Sequence, residues 1–213
     1  MHTKKTKVKR IPKRGHYDFE TIAQILDEDF ICQVAFVHEG YPVVIPTIYG
    51  REGKYLYFHG ASTSRMLVNM EQGFEVSVNV TLVDGLVLAR SGFNHSLNYR
   101  SVVVFGKAIL VTDDAEKEAA LEVVSEQIIP DRWKELRPIK AKELKATSVL
   151  KLSLEEASAK IRTGKPVDDK EDYALDVWAG VLPIEKRYGA PIPDPDRHKD
   201  EPLPDSVKNL LKS

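Results

Sequence analysis

Three apolar stretches follow one another with only tight, glycine-bearing turns between them, and this feature constrains the fold most. Residues 30–38 read as a strand, Glu39-Gly40 turns the chain, and residues 41–49 return. Arg51-Glu52-Gly53 turns it again, and Lys54-Tyr55-Leu56-Tyr57-Phe58-His59 makes a third strand. Parallel neighbours need a crossover of about a dozen residues or more, and these turns leave no room for one. The segment is therefore expected to be an antiparallel meander. Pro42 and Pro46 in the second strand have no N–H to give a ladder, so that strand should be irregular or lie near a sheet edge.

Around this meander the periodicity changes. Asp18 is a plausible N-cap for a helix to residue 28, in which Phe19, Ile22, Ile25 and Leu26 form one apolar stripe. Residues 64–70 turn helical, and Gly73 sits where a C-cap glycine is favoured. Residues 74–83 alternate as a half-buried strand, Asp84-Gly85 is a hairpin signal, and residues 86–90 are read as the return. After a polar stretch, residues 99–111 form the longest strand candidate. Asp113 then caps a helix to residue 128 with Ala119, Ala120, Val123, Val124 and Gln127 on its inner face. A short helix near 141–145, a strand at 147–154 and apolar content for one more strand at 173–184 follow. From Gly189 onward, prolines at 191, 193, 195, 202 and 204 predict an extended tail. Six or seven strands against three helices, mostly antiparallel, imply a mainly β fold with helices (α+β), a β-barrel decorated by helices.

The 213 residues suit one domain with tails: a basic arm over 1–14, the domain over 15–188 and a proline-rich tail over 189–213. The lone cysteine, Cys32, lies in an apolar run, which predicts a buried thiol and excludes an internal disulfide framework. No run reaches the ~18 apolar residues of a membrane helix, and no apolar core follows the basic start, so a soluble cytoplasmic protein is expected. A net charge of -1 gives no global reason for a nucleic-acid partner. Lys4, Lys5, Lys7, Lys9, Arg10, Lys13 and Arg14 crowd the arm. They are expected to form a solvated tail, with a phosphate-binding or nucleic-acid arm as the alternative.

Chemistry concentrates in a few places. His59-Gly60-Ala61-Ser62-Thr63-Ser64-Arg65 joins a strand end to a helix start. Free amides, small residues, hydroxyls and one guanidinium suit a phosphate, although an ordinary N-cap beside a surface arginine reads the same way. The polar stretch from Ser91 to Ser101 places His95, Tyr99, Arg100 and Ser101 where they could aim at one polar ring system, or merely cap turns. Basic residues in Lys142–Lys145 and Lys160–Lys165 are expected to be solvated, and Trp178 is either a core residue or a stacking platform. No spacing of histidines or carboxylates defines a metal site. The Gly-x-Ser-x-Gly, Gly-x-Gly-x-x-Gly and P-loop patterns are absent.

Taken in order, these segments resemble the pyridoxamine 5'-phosphate oxidase-like flavoproteins, the FMN-binding split-barrel family. Within it they resemble the branch of flavin-nucleotide-binding and nitroimidazole-resistance proteins. The resemblance rests on Lys13-Arg14-Gly15, Val44-Ile45-Pro46-Thr47, Tyr57-Phe58-His59-Gly60, Ser64-Arg65-Met66, the run from Asn98 to Lys107, and Glu143-Leu144-Lys145-Ala146-Thr147. Lys160-Ile161-Arg162-Thr163-Gly164 and Trp178-Ala179-Gly180-Val181 extend it. It implies a six-stranded antiparallel Greek-key split β-barrel working as a homodimer, with FMN in clefts at the subunit interface. By position, Ser64 and Arg65 would hold the flavin phosphate, and Val44, Ile45, Pro46 and Thr47 would face the isoalloxazine ring. His59 and Gly60 would lie beside the phosphate and ribityl chain, Ser101 would contact the flavin, and Trp178 is grouped with them. The oxidases carry a lysine after Ser-Arg where this chain has Met66, and their vitamin-phosphate signature is not recognisable here. The implied function is an FMN-dependent oxidoreductase, with FAD as the alternative flavin and NAD(P)H as electron donor. His95, Tyr99 and Arg100 are the candidates for the catalytic, substrate-facing side. The alternative is a non-catalytic flavin- or haem-binding protein. Haem ranks below flavin because the tail is rich in Lys and Pro with only His198.

Overall fold

In the computed structural model, which describes residues 2–196 and 202–212, the alternation of the apolar residues sorts the strands into two sheets. The chain runs through β1 (Gly15–His16), α1 (Phe19–Asp27), β2 (Ile31–His38), β3 (Tyr41–Ile48), β4 (Gly50–Glu52) and β5 (Tyr55–Ala61). Next come α2 (Arg65–Glu71), β6 (Glu75–Leu88), β7 (Ser96–Lys107), β8 (Ile109–Leu110) and α3 (Asp114–Ile128). The remainder is α4 (Ala141–Ala146), β9 (Thr147–Ser153), β10 (Ala157–Arg162), β11 (Gly180–Pro183) and α5 (Asp205–Leu210). The larger sheet has the order β1-β10-β7-β6-β2-β3, with β11 also on β6; the smaller is β4-β5-β9-β8. All of these pairings are antiparallel. The result is mainly β with helices, as the strand order implies, and β3 with its two prolines is an edge strand.

The chain passes between the sheets at buried Tyr49, through α2, at buried Ala108 and through residues 154–156. Both sheets thereby turn their apolar faces on one core. Val34, Val78, Val80, Val102 and Val104 come from the larger sheet and Leu56, Phe58, Leu150 and Leu152 from the smaller. Ile22, Ile25 and Leu26 of α1 and Met66, Leu67 and Met70 of α2 complete it. The Asp18 carboxylate accepts from Thr21 N, and the Asp113 carboxylate accepts from Glu116 N, so both predicted caps start their helices. Gly73, with φ +77°, follows the end of α2 in the left-handed conformation that a glycine allows. Cys32 is fully buried, and burial pushes its thiol up to about 12, leaving it unreactive.

Several expectations are corrected. Asp84-Gly85 is not a hairpin: β6 runs straight through it, with a register irregularity between Val83 and Gly85. A Cβ on Gly85 would lie 2.9 Å from the Leu182 carbonyl oxygen, so this glycine admits the close approach of β11. The real reversal lies in residues 89–95. The long strand over 99–111 breaks at Ala108 into β7 and β8. β10 carries little sequence signal because two of its three inward residues, Ala157 and Ala159, are too small to give an apolar alternation with Ile161. Of the stretch 173–184, only Gly180–Pro183 is strand. The tail is not extended throughout: α5 forms past the last proline, and its Ser206 donates through N and Oγ to Glu135. Nor is the basic arm free in solvent. Thr3 Oγ1 donates to Glu156 (2.6 Å), Lys5 pairs with Glu75 (2.8 Å) and Val8 N donates to Tyr17 Oη (2.9 Å).

Candidate functional site

The segment after β5 builds the first part of the site. Thr63 and Arg65 line an open cleft of about 600 Å³ together with Val37, Val68 and Phe74, beside the β2–β3 turn. Arg65 is exposed, and its guanidinium has no ion-pair partner among the described residues. A chain of hydrogen bonds fixes its backbone: His38 Nδ1 meets Asn69 Oδ1 at 3.2 Å, and Asn69 Nδ2 donates to the Arg65 carbonyl at 2.7 Å. Ser64 is the N-cap of α2 but makes no side-chain capping bond, so its hydroxyl is left for another partner. Met66, where the oxidases have lysine, is buried in the core. An apolar wall with one unpaired cation at its rim suits an anionic ligand with an apolar body.

His59 and Gly60 leave that cleft. Side chains alternate along a strand; Phe58 faces the core, so His59 faces the other way, towards α3. There it lines a separate open cleft of about 280 Å³ with Leu121, Val124, Ile128, Trp133 and Ile139. Its Nδ1 is buried without a hydrogen-bond partner, and burial lowers the pKa of the ring, favouring neutral imidazole. Gly60 instead packs on α2, where a Cβ would come 3.0 Å from Leu67 Cδ1.

The remaining candidates lie on the larger sheet. Val44 and Pro46 point outward from β3, Val44 being 62% exposed, whereas Ile45 packs against the core; Thr47 is half-buried. Ser101 is on the outer face of β7, with its hydroxyl 3.4 Å from the Lys160 carbonyl. The structure does not bring His95, Tyr99 and Arg100 to one point. Alternation puts Tyr99 on the side of Ser101 and Arg100 on the opposite side. The Arg100 guanidinium is held by both carboxylate oxygens of Asp84 and by Glu28, which keep it charged. His95 Nε2 lies 3.1 Å from the Ala89 carbonyl oxygen. Trp178 is 69% exposed, with its indole against Gly180, so it is no core residue. Arg162, expected to be solvated, is buried beside Asn98 and the Gly164 carbonyl. His198 lies outside the described residues.

Sequence reasoning missed Val37, His38, Asn69 and Phe74 of the first cleft, and Leu121, Trp133 and Ile139 of the second. Only Asn69 carried a signal, as a polar residue on the inner side of a short apolar helix. Among the described residues there is no group of three His, Cys, Asp or Glu able to hold a metal ion, and no helix long and apolar enough to cross a membrane.

A family model described as pyridoxamine 5'-phosphate oxidase matches residues 18–161. Among solved structures, the flavocytochrome Anf3 of Azotobacter vinelandii is 42% identical with a TM-score of 0.91, over 98% of this chain and 97% of its own. The FAD- and haem-binding protein of Mycobacterium smegmatis is 38% identical with a TM-score of 0.89, over 92% of this chain and 97% of its own. A Bacteroides thetaiotaomicron protein provisionally assigned to 5-nitroimidazole resistance shares the fold at 22% identity and a TM-score of 0.59, over 69% of this chain and 86% of its own. No curated protein matches. With more than half its length matched, and with the two-sheet core and cleft just described, the chain belongs to the pyridoxamine 5'-phosphate oxidase family.

Proposed function

We propose that this protein is a flavin-nucleotide-dependent oxidoreductase that works as a homodimer and carries haem as a second group. One observation carries the flavin reading: the unpaired Arg65 at the rim of an apolar cleft, beside the hydroxyls of Thr63 and Ser64. Arg65 would pair with the flavin phosphate, and Val37, Val68 and Phe74 would keep water from the apolar part of the ligand. FAD is favoured over FMN, and haem is promoted from its lower rank, because the Mycobacterium relative is described as binding both. A bound flavin supplies two-electron redox chemistry, and the protein supplies binding, orientation and electrostatics. Tyr99 and His95 remain the residues proposed for the substrate side. Arg100, tied to Asp84 and Glu28, is a positioning residue that pins the irregularity of β6 to the end of α1.

Anaerobic mixing of the flavin-loaded protein with NADH and with NADPH tests the redox reading. Loss of the oxidised flavin absorbance with either nucleotide is expected, and flavin that stays oxidised with both contradicts a nicotinamide donor.

The outer face of the larger sheet is the proposed dimer interface. Val37 and Val44 are 59% and 62% exposed there, next to exposed Gln33 and Pro46. Val44→Asp would place a carboxylate in this contact and leave the core untouched. In sedimentation velocity the variant should run as a monomer while the parent runs as a dimer. Equal sedimentation of the two would place the interface elsewhere.

A further inference from the structure

The cleft beneath α3 contains an imidazole that the fold itself does not use. His59 makes no hydrogen bond through either ring nitrogen among the described residues, and its Nδ1 is buried. Leaving such a group uncompensated in apolar surroundings is unfavourable, and native proteins seldom do so without a reason. Three other described histidines are already engaged: His38 with Asn69, His95 with the Ala89 carbonyl, and His2 against the Tyr17 ring; His16 lies on β1, away from this cleft. The walls facing His59 are apolar and partly aromatic, from Leu121, Val124 and Ile128 of α3 and from Trp133 and Ile139 beyond it.

We propose that His59 is the protein ligand to the iron of a tetrapyrrole seated in this cleft between β5 and α3. The proposal rests on the haem part of the reading above and assigns it a place and a residue. A bare metal ion is a poor occupant, because among the described residues no group of three His, Cys, Asp or Glu forms, and the lining of this cleft adds no such residue to His59. An iron macrocycle brings its own equatorial ligands, needs one neutral imidazole from the protein, and buries a flat apolar face against aliphatic and aromatic side chains. This site is distinct from the Arg65 cleft, since His59 and the residues at that cleft line different surfaces.

The test is a spectrophotometric titration of the flavin-loaded full chain with ferric protoporphyrin IX. The parent protein should develop a saturable, shifted Soret band. His59→Ala should abolish that band or weaken binding by at least the about 10- to 100-fold that even outer partners of metal-bound histidines contribute. His16→Ala should behave as the parent. Should alanine disturb folding, His59→Gln removes the imidazole at similar size and is expected to give the same loss. Free imidazole added to His59→Gly should restore the Soret band. A parent that binds the porphyrin and a His59→Ala variant with the same spectrum and affinity would overturn the assignment while haem binding stands. A parent that shows no Soret change would overturn both, and the flavin reading would be judged by its own absorbance.

Discussion

Replacing Arg65 by alanine is expected to weaken flavin-nucleotide binding about 10- to 100-fold, since a hydrogen bond to a charged group is worth about 1.5–3 kcal/mol. The expectation follows from what Arg65 does not do. It is exposed, has no ion-pair partner among the described residues, and stands at the rim of a cleft whose apolar wall of Val37, Val68 and Phe74 is flanked by the polar His38, Glu39, Asn69 and Gln72. The stability of the fold should therefore be unaffected, and thermal unfolding of the ligand-free variant should match the parent. Arg65→Lys keeps a point charge but loses the planar fork, so its affinity should fall between the two. Fluorescence titration with FAD and with FMN reads these differences. An Arg65→Ala variant that binds flavin as tightly as the parent would remove the cation from the account.

The second large effect lies in a strap of chain far from that cleft. Residues 163–179 cross the reversal between β6 and β7; Asn98 Nδ2 donates to the Gly164 carbonyl at their start, and Asp168 ties them to Arg90. Its carboxylate side chain is fully buried and accepts from Arg90 N at 2.8 Å and from Arg90 Nη1 at 3.0 Å. The Arg90 guanidinium also lies 4.9 Å from the centre of the Tyr173 ring, and its Nε is already without a partner. Asp168→Ala removes the acceptor and leaves a partly buried cation and a backbone donor stranded. Breaking a buried pair from one side costs about 3–5 kcal/mol, and the lower end applies because Arg90 is 23% exposed. For a chain of this size, about 3 kcal/mol corresponds to a fall in Tm of roughly 6–12 °C. Asp168→Asn can still accept from Arg90 N and should lose less. Because the strap leads into β11, limited proteolysis should also cut the alanine variant within 163–179 first. A change in Tm below about 1 °C would show that the strap is held elsewhere.

These two positions differ in how far the sequence exposes them. Arg65 was legible because its chemistry is local: hydroxyls, glycine and a guanidinium lie together at a strand-to-helix junction. The caps Asp18 and Asp113 were legible for the same reason, as was the edge position of β3, which follows from two missing N–H groups. Asp168 gave no signal, because its partner is distant in the chain and nothing at either position marks the pairing. Asp84 and Gly85 mark a turn in most chains, but here the glycine serves the approach of β11 and the aspartate holds Arg100. Arg100 and Tyr99 were read as one polar group, although neighbours on a strand face opposite ways. His59 was assigned to the phosphate side by its place in the sequence, and the same alternation turns it under α3. Both clefts draw walls from segments distant in sequence, such as Phe74 for one and Trp133 for the other, which no local pattern reveals.

The central claim is that the Arg65 cleft holds a flavin nucleotide, and an absorbance spectrum of the purified protein tests it most directly. The spectrum is taken before and after addition of FAD or FMN and gel filtration, and the bound nucleotide is then released by heat and identified. The account predicts flavin absorbance with about one flavin per chain, released as FAD in preference to FMN. A protein that stays colourless after either nucleotide is added would contradict it.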